Sequence, residues 1–393
     1  MTTCPVGHLA LMSRFLVLSA AMGGGHLQIS RELERRLSDR GHTVAVVDML
    51  DLMPRPTGGW LGRLYPFLVN RVPRLYQWIY ETFFLAEQRA GERAGVPVRL
   101  ALPGLRRFVE EFSPDLAVST YPLCSLALGE LRSRGDLSCP AVTVVTTFSV
   151  NNLWLHPGVD EELCISRDAA EDATRRTGRP ATVCGPVVRP GFGDDRADGA
   201  AFRAALGLPA EARVALLSTG SMGLAGDVVT AARAIASHDG WFPVVLCGRQ
   251  DDLQAELAAI PGVVPVGWVK DMPAAMAAAD VLVDNNCGMA AKEACAAALP
   301  VVTFRPLAGH GRDDAEALAR LGLTEIVSEP AQLLHALDRV VADEAGRNRR
   351  RVRAHALFVA DAADLLEELL PAEPTSSPAA VAANAGGSPW AAR

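Results

Sequence analysis

Short apolar runs alternate with stretches of helical periodicity along most of the chain. The runs are rich in β-branched residues, and their alternation with helices is typical of βαβ units around a parallel sheet. The predicted strands cover residues 15–19, 43–47, 116–119 and 142–146 in the first half and 214–218, 244–246, 281–283 and 301–304 in the second. The pattern therefore predicts an α/β protein with two doubly wound domains.

Both patterns disappear near residues 186–209, where Pro, Gly and Asp accumulate, so we place the change of domain there. We expect a flexible N-terminus at 1–13, a first domain at 14–190, a linker at 191–212, a second domain at 213–345, a helix at 346–370 and a disordered tail at 371–393. The tail is rich in Ala, Pro, Ser and Gly. A solvated helical face is the simpler interpretation of the arginine-rich run at 347–353.

A glycine loop follows the first predicted strand and precedes a predicted helix at 27–38. The loop, Gly23-Gly24-Gly25-His26, would let a phosphate approach the backbone, and the helix N-terminus adds free N–H donors and a positive dipole end. A Rossmann dinucleotide site needs a third glycine where this chain has a helix residue, although Asp48 supplies the acidic position. Alone, the loop fits any phosphate site, and His26 fits either a base or a helix residue bonded to backbone.

Two loops of the second domain have the same arrangement of strand, glycine and helix. The first is Thr219-Gly220-Ser221-Met222-Gly223. Its N–H groups and the Ser221 hydroxyl either hold a diphosphate or form a plain turn. The second contains Gly288 and opens a helix at 289–298, whose second turn carries Glu293, a carboxylate that can accept two ribose hydroxyls at once. We expect Lys292 to face solvent.

Aromatic and basic residues are concentrated in segment 60–84. The basic residues are Arg63, Arg71 and Arg74, and the aromatic residues are Trp60, Tyr65, Phe67, Tyr76, Trp78, Tyr80, Phe83 and Phe84. This mixture suits a segment that inserts shallowly into a membrane and pairs with anionic headgroups. It equally suits an ordinary helix packed on the first sheet, so both interpretations stay open.

Composition and charge limit the class of protein. The chain is 49% apolar and 21% charged, as in folded globular proteins, and its net charge of −7 argues against broad nucleic-acid binding. Eight cysteines without a C-x-x-C pair suggest neither a zinc ribbon nor a disulfide framework, so a reducing cytoplasm is expected. No Lys or Arg precedes the apolar residues 9–21 and Arg14 interrupts them, so we interpret them as part of a buried strand rather than a signal peptide.

An ordered set of motifs across residues 15–323 resembles the monogalactosyldiacylglycerol synthases and the lipid-linked N-acetylglucosaminyltransferases of peptidoglycan synthesis. The set comprises the Gly-Gly-Gly-His loop, Thr-Gly-Ser-x-Gly at 219–223, Val-Gly-Trp-Val-x-x-Met at 266–272, Ala-Asp-Val at 279–281, Gly288 with Glu293-Ala294, and Leu299-Pro300. In the first domain, Phe148 with Trp154-x-His156-Pro157 and the run Gly185-Pro186-Val187-Val188-Arg189-Pro190 resemble the diacylglycerol branch in particular.

The resemblance implies a GT-B fold, in which two Rossmann-like domains face each other across a cleft, with the acceptor on the first and the donor on the second. It implies an inverting transfer of a hexosyl group from a UDP-sugar, without a cofactor, to a lipid (diacylglycerol-like) or other hydrophobic acceptor. His26 corresponds to the loop histidine proposed as general base, Ser221 to the phosphate-binding serine and Glu293 to the ribose-binding glutamate. The expected donor site is completed by Gly24, Gly25, Gly220, Gly223, Gly288, His310 and the backbone of Trp268 and Val269, which would read the uracil edge.

Four positions depart from the family pattern. Thr147 and Asn151 stand where that branch has a carboxylate and a histidine, which removes the acid/base help expected from their loop and leaves His26 as the one proton acceptor that we can name. His310 stands in the place of a glutamine that touches the donor sugar and could still make one hydrogen bond there. Cys287 stands where glycine is usual and is expected to narrow the room beside the phosphates.

Two other functions fit parts of the sequence. A UDP-sugar 2-epimerase shares the fold but needs several acidic residues around the sugar, which are not evident here. A catalytically degenerate nucleotide-sugar-binding protein would explain Thr147 and Asn151. We expect no metal site, because no DxD-type acidic cluster lies at the predicted cleft, and a cytoplasmic protein whose contact with the inner face of the membrane, if any, is peripheral and made by segment 60–84.

Overall fold

The computed structural model describes residues 12–22, 24–72, 75, 95–194, 197–209, 211–219 and 227–371. Within these residues the chain forms two six-stranded sheets, both wholly parallel and flanked by helices. The prediction of an α/β fold with two doubly wound domains is confirmed.

The first sheet lies in the N-terminal half. Its strands are β1 (Arg14–Ser19), β2 (Thr43–Asp48), β3 (Leu116–Ser119), β4 (Ala141–Val145), β5 (Glu161–Cys164) and β6 (Thr182–Val183), in the spatial order β2-β1-β3-β4-β5-β6. The helices around it are α1 (Gly24–Asp39), α2 (Thr57–Arg71), α3 (Val96–Phe112), α4 (Pro122–Arg134) and α5 (Arg167–Thr177). β1 and β3 are buried throughout their apolar positions, because helices cover both faces of a parallel sheet.

The second sheet repeats this plan in the C-terminal half. Its strands are β7 (Arg213–Ser218), β8 (Trp241–Leu246), β9 (Val264–Val266), β10 (Val281–Asp284), β11 (Val301–Phe304) and β12 (Thr324–Val327), in the order β12-β11-β10-β7-β8-β9. The helices of this half are α6 (Gly199–Ala205), α7 (Val228–Ala236), α8 (Asp251–Ala258), α9 (Met272–Ala277), α10 (Met289–Ala296), α11 (His310–Arg320), α12 (Pro330–Ala342), α13 (Glu344–His355) and α14 (Ala362–Glu368).

The direction in which strands are added reverses once in each sheet. β1 lies between β2 and β3, and β7 lies between β8 and β10. At such a reversal, the loops beyond the carboxyl ends of the two central strands turn to opposite faces and leave a crevice between them, where open α/β sheets bind ligands. The loops after β1 and β10 therefore stand at the binding positions of their sheets.

The eight predicted strands are all present, with small differences at their ends, and four further strands were missed. The missed strands are β5, β6, β9 and β12, which are short or carry charged residues. In β5, the inward-facing Glu162 is fully buried and accepts a hydrogen bond from Arg179 at 3.0 Å. A buried carboxylate of this kind interrupts the apolar pattern on which strand prediction depends.

The single helix expected at 346–370 is two helices, α13 and α14, so that prediction is wrong. Between them the carbonyl oxygen of Leu357 lies against Gly185, where a Cβ would come within 2.3 Å of it. Gly185 has a φ of 82°, so glycine suits both the backbone conformation and the close approach. α14 then packs on α1 of the first domain, and its Glu367 lies 2.7 Å from Nε2 of His42.

The structure also bears on the cysteines and on membrane crossing. The seven cysteines of the described residues, Cys4 lying outside them, are buried and form no disulfide with one another. No helix in the described part of the chain combines the length and the apolar character that crossing a membrane requires.

Candidate active site

The N-termini of α1 and α10 meet where the two domains face each other. α1 begins at Gly24 and α10 at Met289, and a Cβ placed on Gly25 would lie 3.7 Å from the Cβ of Met289. Each N-terminus presents backbone N–H groups without helical partners and a positive dipole end. The structure therefore brings two of the three predicted glycine loops together. Gly23 and the third loop, with Gly220, Ser221 and Gly223, lie outside the described residues.

His26 is held by neutral groups of the first domain. Its Nδ1 lies 3.0 Å from the carbonyl oxygen of Thr120 and 3.0 Å from Oγ1 of Thr146. A carbonyl oxygen can only accept, so Nδ1 carries the ring proton and Nε2 carries the lone pair. The ring of Tyr121 contacts the imidazole edge to face, with centroids 4.9 Å apart. The arrangement fixes the tautomer in which Nε2 can accept a proton.

Burial keeps His26 neutral. Loss of hydration lowers its pKa to about 4, an effect that the Thr120 carbonyl opposes and that the positive charge of Lys292 and the nearby His310 reinforce. At neutral pH the imidazole is therefore uncharged.

Thr147 and Asn151, which replace the family's acid/base pair, stabilise a turn instead. The Thr147 hydroxyl donates to the carbonyl of Ser149 at 2.7 Å, and Oδ1 of Asn151 accepts from the backbone N–H of Leu153 at 3.1 Å. Trp154, at the end of the same loop, is buried, and its ring centroid is 6.1 Å from that of His26. The loop of residues 146–154 thus lines one side of the site. Its contacts with His26 are made by Thr146 and Trp154.

Glu293 lies on the second turn of α10 and reaches groups of the first domain. It is buried, and its Oε1 accepts from Nε2 of Gln28 at 3.1 Å and from Nη2 of Arg189 at 3.4 Å. Burial raises the pKa of the carboxyl, and the charge of Arg189 opposes that rise. Gln28 belongs to α1 and Arg189 follows β6, so this carboxylate connects the two halves of the site.

Lys292 is buried, so the expectation that it faces solvent is wrong. Its Nζ donates to the carbonyls of Cys287 and Gly288 at 3.3 and 3.1 Å and lies 5.0 Å from the ring centroid of Phe148. Burial lowers the pKa of the ammonium, and the charge of Asp314 opposes that change. The burial of Lys292 was not predicted, because a single lysine in an Ala-rich helix is usually exposed. In the structure, Phe148 of the first domain covers the side of α10 that carries Lys292.

Asp314 is a second buried charge, on α11. Its Oδ1 accepts from the backbone N–H of Ser149 at 2.8 Å and from the Ser149 hydroxyl at 2.5 Å. Burial raises its pKa to about 6, and the ammonium of Lys292 opposes the rise. Because Ser149 belongs to the loop after β4 of the first domain, Asp314 joins the two domains beside the site, a role for which the sequence offered no motif.

The loop before α10 is held by Asp284. This buried carboxylate accepts from the N–H of Cys287 at 2.6 Å, and Cys287 adopts a φ of 48°. The Cys287 thiol is fully buried, 3.7 Å from Oγ1 of Thr303. Its side chain therefore packs into the core, contrary to the expectation that it narrows the room beside the phosphates.

Two polar side chains stand at the start of α11. His310 is its first residue, and burial together with the charge of Lys292 lowers the pKa of His310 to about 4. Oδ1 of Asn286 is buried, and none of the described residues donates a hydrogen bond to it. A Cβ on Gly311 would lie 3.3 Å from this oxygen, which places Asn286 beside the first turn of α11. An unpaired buried acceptor of this kind fits a ligand hydroxyl.

The remaining predicted residues follow β9. Trp268 is 54% exposed, and the guanidinium of Arg249 lies 4.8 Å from the centroid of its indole ring. Val269 packs on the core of the second domain. Among the described residues, no group of three or more His, Cys, Asp or Glu side chains is arranged to hold a metal ion.

Two family models match the chain. The model described as monogalactosyldiacylglycerol (MGDG) synthase matches residues 26–188, and the one described as glycosyl transferases group 1 matches residues 224–343. The processive diacylglycerol beta-glucosyltransferase of Bacillus subtilis (strain 168) is 22% identical, over 91% of this chain and 94% of that protein. The protein of that description from Bacillus cereus (strain ATCC 14579) is 20% identical, over 93% and 95%.

Solved glycosyltransferases share the architecture. The spinosyn rhamnosyltransferase SpnG complexed with thymidine diphosphate superposes with a TM-score of 0.65 at 16% identity, over 91% of this chain and 99% of that one. MurG of Acinetobacter baumannii superposes with a TM-score of 0.59 at 14% identity, over 91% and 99%. The chain is a GT-B glycosyltransferase. The resemblance inferred from its motifs and the expectation that it is an enzyme that transfers a sugar are confirmed.

In this glycosyltransferase, several residues around the site were given no site role by the sequence analysis. They are Thr120 and Thr146, which hold the imidazole, Gln28 and Arg189, which hold Glu293, and the buried polar groups of Lys292, Asp314 and Asn286. Thr120 and Thr146 follow β3 and β4 directly, and a polar residue at the carboxyl end of a buried parallel strand is the signal that could have found them.

Proposed function

We propose that this glycosyltransferase moves a hexosyl group from a UDP-sugar to the hydroxyl of a diacylglycerol-like lipid, with inversion at the anomeric carbon and without a metal ion. The observation that carries the proposal is the anchoring of His26 Nδ1 by the Thr120 carbonyl at 3.0 Å, which leaves Nε2 as a proton acceptor at the junction of α1 and α10. The description of the relatives as processive diacylglycerol beta-glucosyltransferases supports a lipid acceptor.

In this reaction the acceptor oxygen attacks the anomeric carbon from the face opposite the diphosphate. The acceptor proton passes to Nε2 of His26, while the bond from the anomeric carbon to the diphosphate oxygen breaks and its electron pair leaves with UDP. A base within hydrogen-bond reach contributes about 10²–10⁴-fold. The negative charge of a bound donor raises the pKa of His26 from its low value toward the range where a base works best.

The N-terminus of α10 is proposed to meet the charge that develops on the leaving diphosphate. Its free N–H groups and dipole favour an anion. Lys292 lies at the same end of the helix, where its Nζ donates hydrogen bonds to the carbonyls of Cys287 and Gly288, and its ammonium is proposed to add positive charge there. Gly24 and Gly25 leave room for the phosphates at the start of α1, and the Ser221 loop, with Gly220 and Gly223, is expected to contribute further N–H donors.

Glu293 is proposed to bind the ribose hydroxyls of the donor. Its Oε1 already accepts from Gln28 and Arg189, so the carboxylate is oriented toward the junction before ligand binds. The backbone of Trp268 and Val269 is proposed to bind the uracil edge. Asn286 and His310, at the start of α11, are proposed to bind hydroxyls of the donor sugar, since Oδ1 of Asn286 is buried with no donor among the described residues.

The lipid acceptor is proposed to reach the first domain through segment 60–84. In the described part of this segment, Trp60 and Phe67 are 63% and 54% exposed, and Arg63 between them is exposed. Residues seven apart lie on one face of a helix, so α2 presents two aromatic side chains and a basic one together. That combination supports a peripheral contact with an anionic membrane surface. Most of the other aromatic residues of the segment lie outside the described residues.

A donor screen tests the proposal. Purified protein is given a panel of UDP-sugars with diacylglycerol in detergent micelles, UDP release is measured and the product is identified by mass. We expect release of UDP with one hexosyl donor and a hexosyl-diacylglycerol product. If no donor yields UDP, the proposed transfer from a UDP-sugar to diacylglycerol is wrong, and a rise in melting temperature with UDP would then show that the protein binds the nucleotide without this transfer.

A further inference from the structure

Helix α13 is strongly basic in an acidic protein. It carries Glu344 and five arginines, Arg347, Arg349, Arg350, Arg351 and Arg353, whereas the whole chain has a net charge of −7. Nothing in the proposed transfer uses this run. The environment of the helix in the structure argues against a simple solvated helical face.

The two faces of α13 differ. Gly346 and Ala354 are buried, and Ala354 belongs to the hydrophobic cluster that also contains Phe148 and Cys287 beside the candidate active site. On the opposite face Val352 is 61% exposed and is flanked by the exposed side chains of Arg351 and Arg353. The inner face therefore fixes the helix to the second domain, and the outer face is basic with an apolar centre.

The basic surface continues past the end of the helix with apolar residues. Phe358 and Val359, in the connection from α13 to α14, are both exposed, Val359 by 59%. Val352, Phe358 and Val359 are thus the large apolar side chains exposed between residues 344 and 361. We call Val352, Phe358, Val359 and the exposed Arg349, Arg351 and Arg353 the α13 surface.

Few carboxylates neutralise the α13 surface. Arg349 lies 3.5 Å from Asp343, Arg351 donates to Asn348 at 2.9 Å, and Arg353 has no ion pair within the described residues. Arg349 and Arg353 also line a cavity of about 480 Å³, together with Glu325 and Asp343. Glu325 is already paired with Arg339, so the cavity keeps guanidinium groups available to an anion.

We propose that the α13 surface docks on an anionic lipid bilayer, with its arginines on lipid phosphates and Val352, Phe358 and Val359 at the level of the headgroups. Charge complementarity favours an anionic partner, and the exposed apolar side chains favour a bilayer over a polynucleotide, whose outer surface is phosphate and sugar. The surface lies on the second domain, whereas the described helix of segment 60–84, α2, belongs to the first. The α13 surface would hold the second domain, which is proposed to bind the donor, at the membrane. This inference rests on the proposed function, in which the acceptor is a lipid.

Flotation with lipid vesicles tests the proposal on the full chain. The vesicles are phosphatidylcholine alone or phosphatidylcholine and phosphatidylglycerol in equal amounts. The double variant R351Q/R353Q should bind the anionic vesicles about 30-fold more weakly than the unaltered protein, since each arginine near an anionic surface contributes roughly fivefold. Its binding to phosphatidylcholine alone should not change.

The matched control is R167Q/R233Q, which removes two exposed arginines that belong to α5 and α7 and not to the α13 surface. Equal losses in the two double variants would show that only net charge matters and would overturn the proposal, as would unchanged binding by R351Q/R353Q. Melting temperatures of both variants establish that they fold. UDP release on acceptor in detergent is measured in parallel, so failure of the transferase proposal would appear there and not in the flotation result.

Discussion

The two halves of the candidate active site hold their ionisable groups by different means. On the first domain, His26 is neutral and is fixed by the Thr120 carbonyl and the Thr146 hydroxyl. On the second domain, Lys292 and Asp314 are both buried, and the charge of each opposes the effect of burial on the pKa of the other. The first half therefore holds one neutral imidazole, and the second holds a buried pair of oppositely charged side chains.

The difference follows from what each group can do when desolvated. A histidine can shed its charge at modest cost, so burial produces a neutral base with one free lone pair. An isolated buried ammonium is far more costly, and it is retained only where carbonyls and a carboxylate compensate it. Here Asp314 and two carbonyls compensate Lys292 beside the N-terminus of α10, where a positive charge would stabilise an anion without reorganisation.

The largest expected effect is a loss of turnover when the first-domain half of the candidate active site is altered. H26A should lower kcat by about 10²–10⁴-fold, because it removes the proposed proton acceptor, and should leave the Kd for UDP nearly unchanged. Steady-state kinetics and calorimetric titration with UDP provide the two measurements. A variant with undiminished kcat would show that His26 is a positioning residue at most.

The pH profile of the unaltered enzyme sharpens this test. The base acts when neutral, so a pKa of about 4 for His26 predicts that kcat/KM stays level from neutral pH down to about 5 and falls only as the pH approaches 4. A decline centred near pH 6.5 would contradict the lowered pKa. A decline near pH 6 that D314N removes would belong to Asp314.

Substitutions in the second-domain half of the site should mainly lower the free energy of unfolding. K292M leaves Asp314 buried without its compensating ammonium, and we expect a loss of about 3 kcal/mol in the free energy of unfolding, or roughly 6–12 °C in melting temperature. The double variant K292M/D314N removes both charges and should recover part of the loss. If the double variant is less stable than the unaltered protein by the sum of the two single effects, the two charges do not interact.

The smallest expected effect concerns the carboxylate that joins the halves. E293A should weaken UDP binding by roughly 10–100-fold, through the loss of the two charge-assisted hydrogen bonds that Glu293 is proposed to make with ribose. Q28A is the matched control, because it removes a donor to the same Oε1 without removing the carboxylate. Titration with UDP measures both. Equal weakening in E293A and Q28A would indicate that the contact between the domains, and not the ribose, explains the effect.

Much of the fold could be predicted from the sequence, because parallel strands buried on both faces are short apolar runs and the loops that follow carry glycine. The eight predicted strands and the Gly-Gly-Gly-His loop are examples. Glu162 and Lys292 show the limit of this approach. From a sequence, a charged residue is predicted to be exposed. Its burial costs free energy unless a partner compensates the charge. Arg179 is that partner for Glu162, and Asp314 with two backbone carbonyls compensates Lys292.

The candidate site, like the fold, has features that the sequence predicts and features that only the packing of the domains decides. The sequence by itself determined two doubly wound domains, a histidine at the first helix N-terminus and a glutamate on the second turn of a later helix. The tertiary structure decided which nitrogen of His26 is free, that Gln28 and Arg189 orient Glu293, and that Ser149 and Asp314 join the domains. These contacts link residues more than 90 positions apart. They depend on how two sheets and their loops pack, which no local pattern of residues encodes.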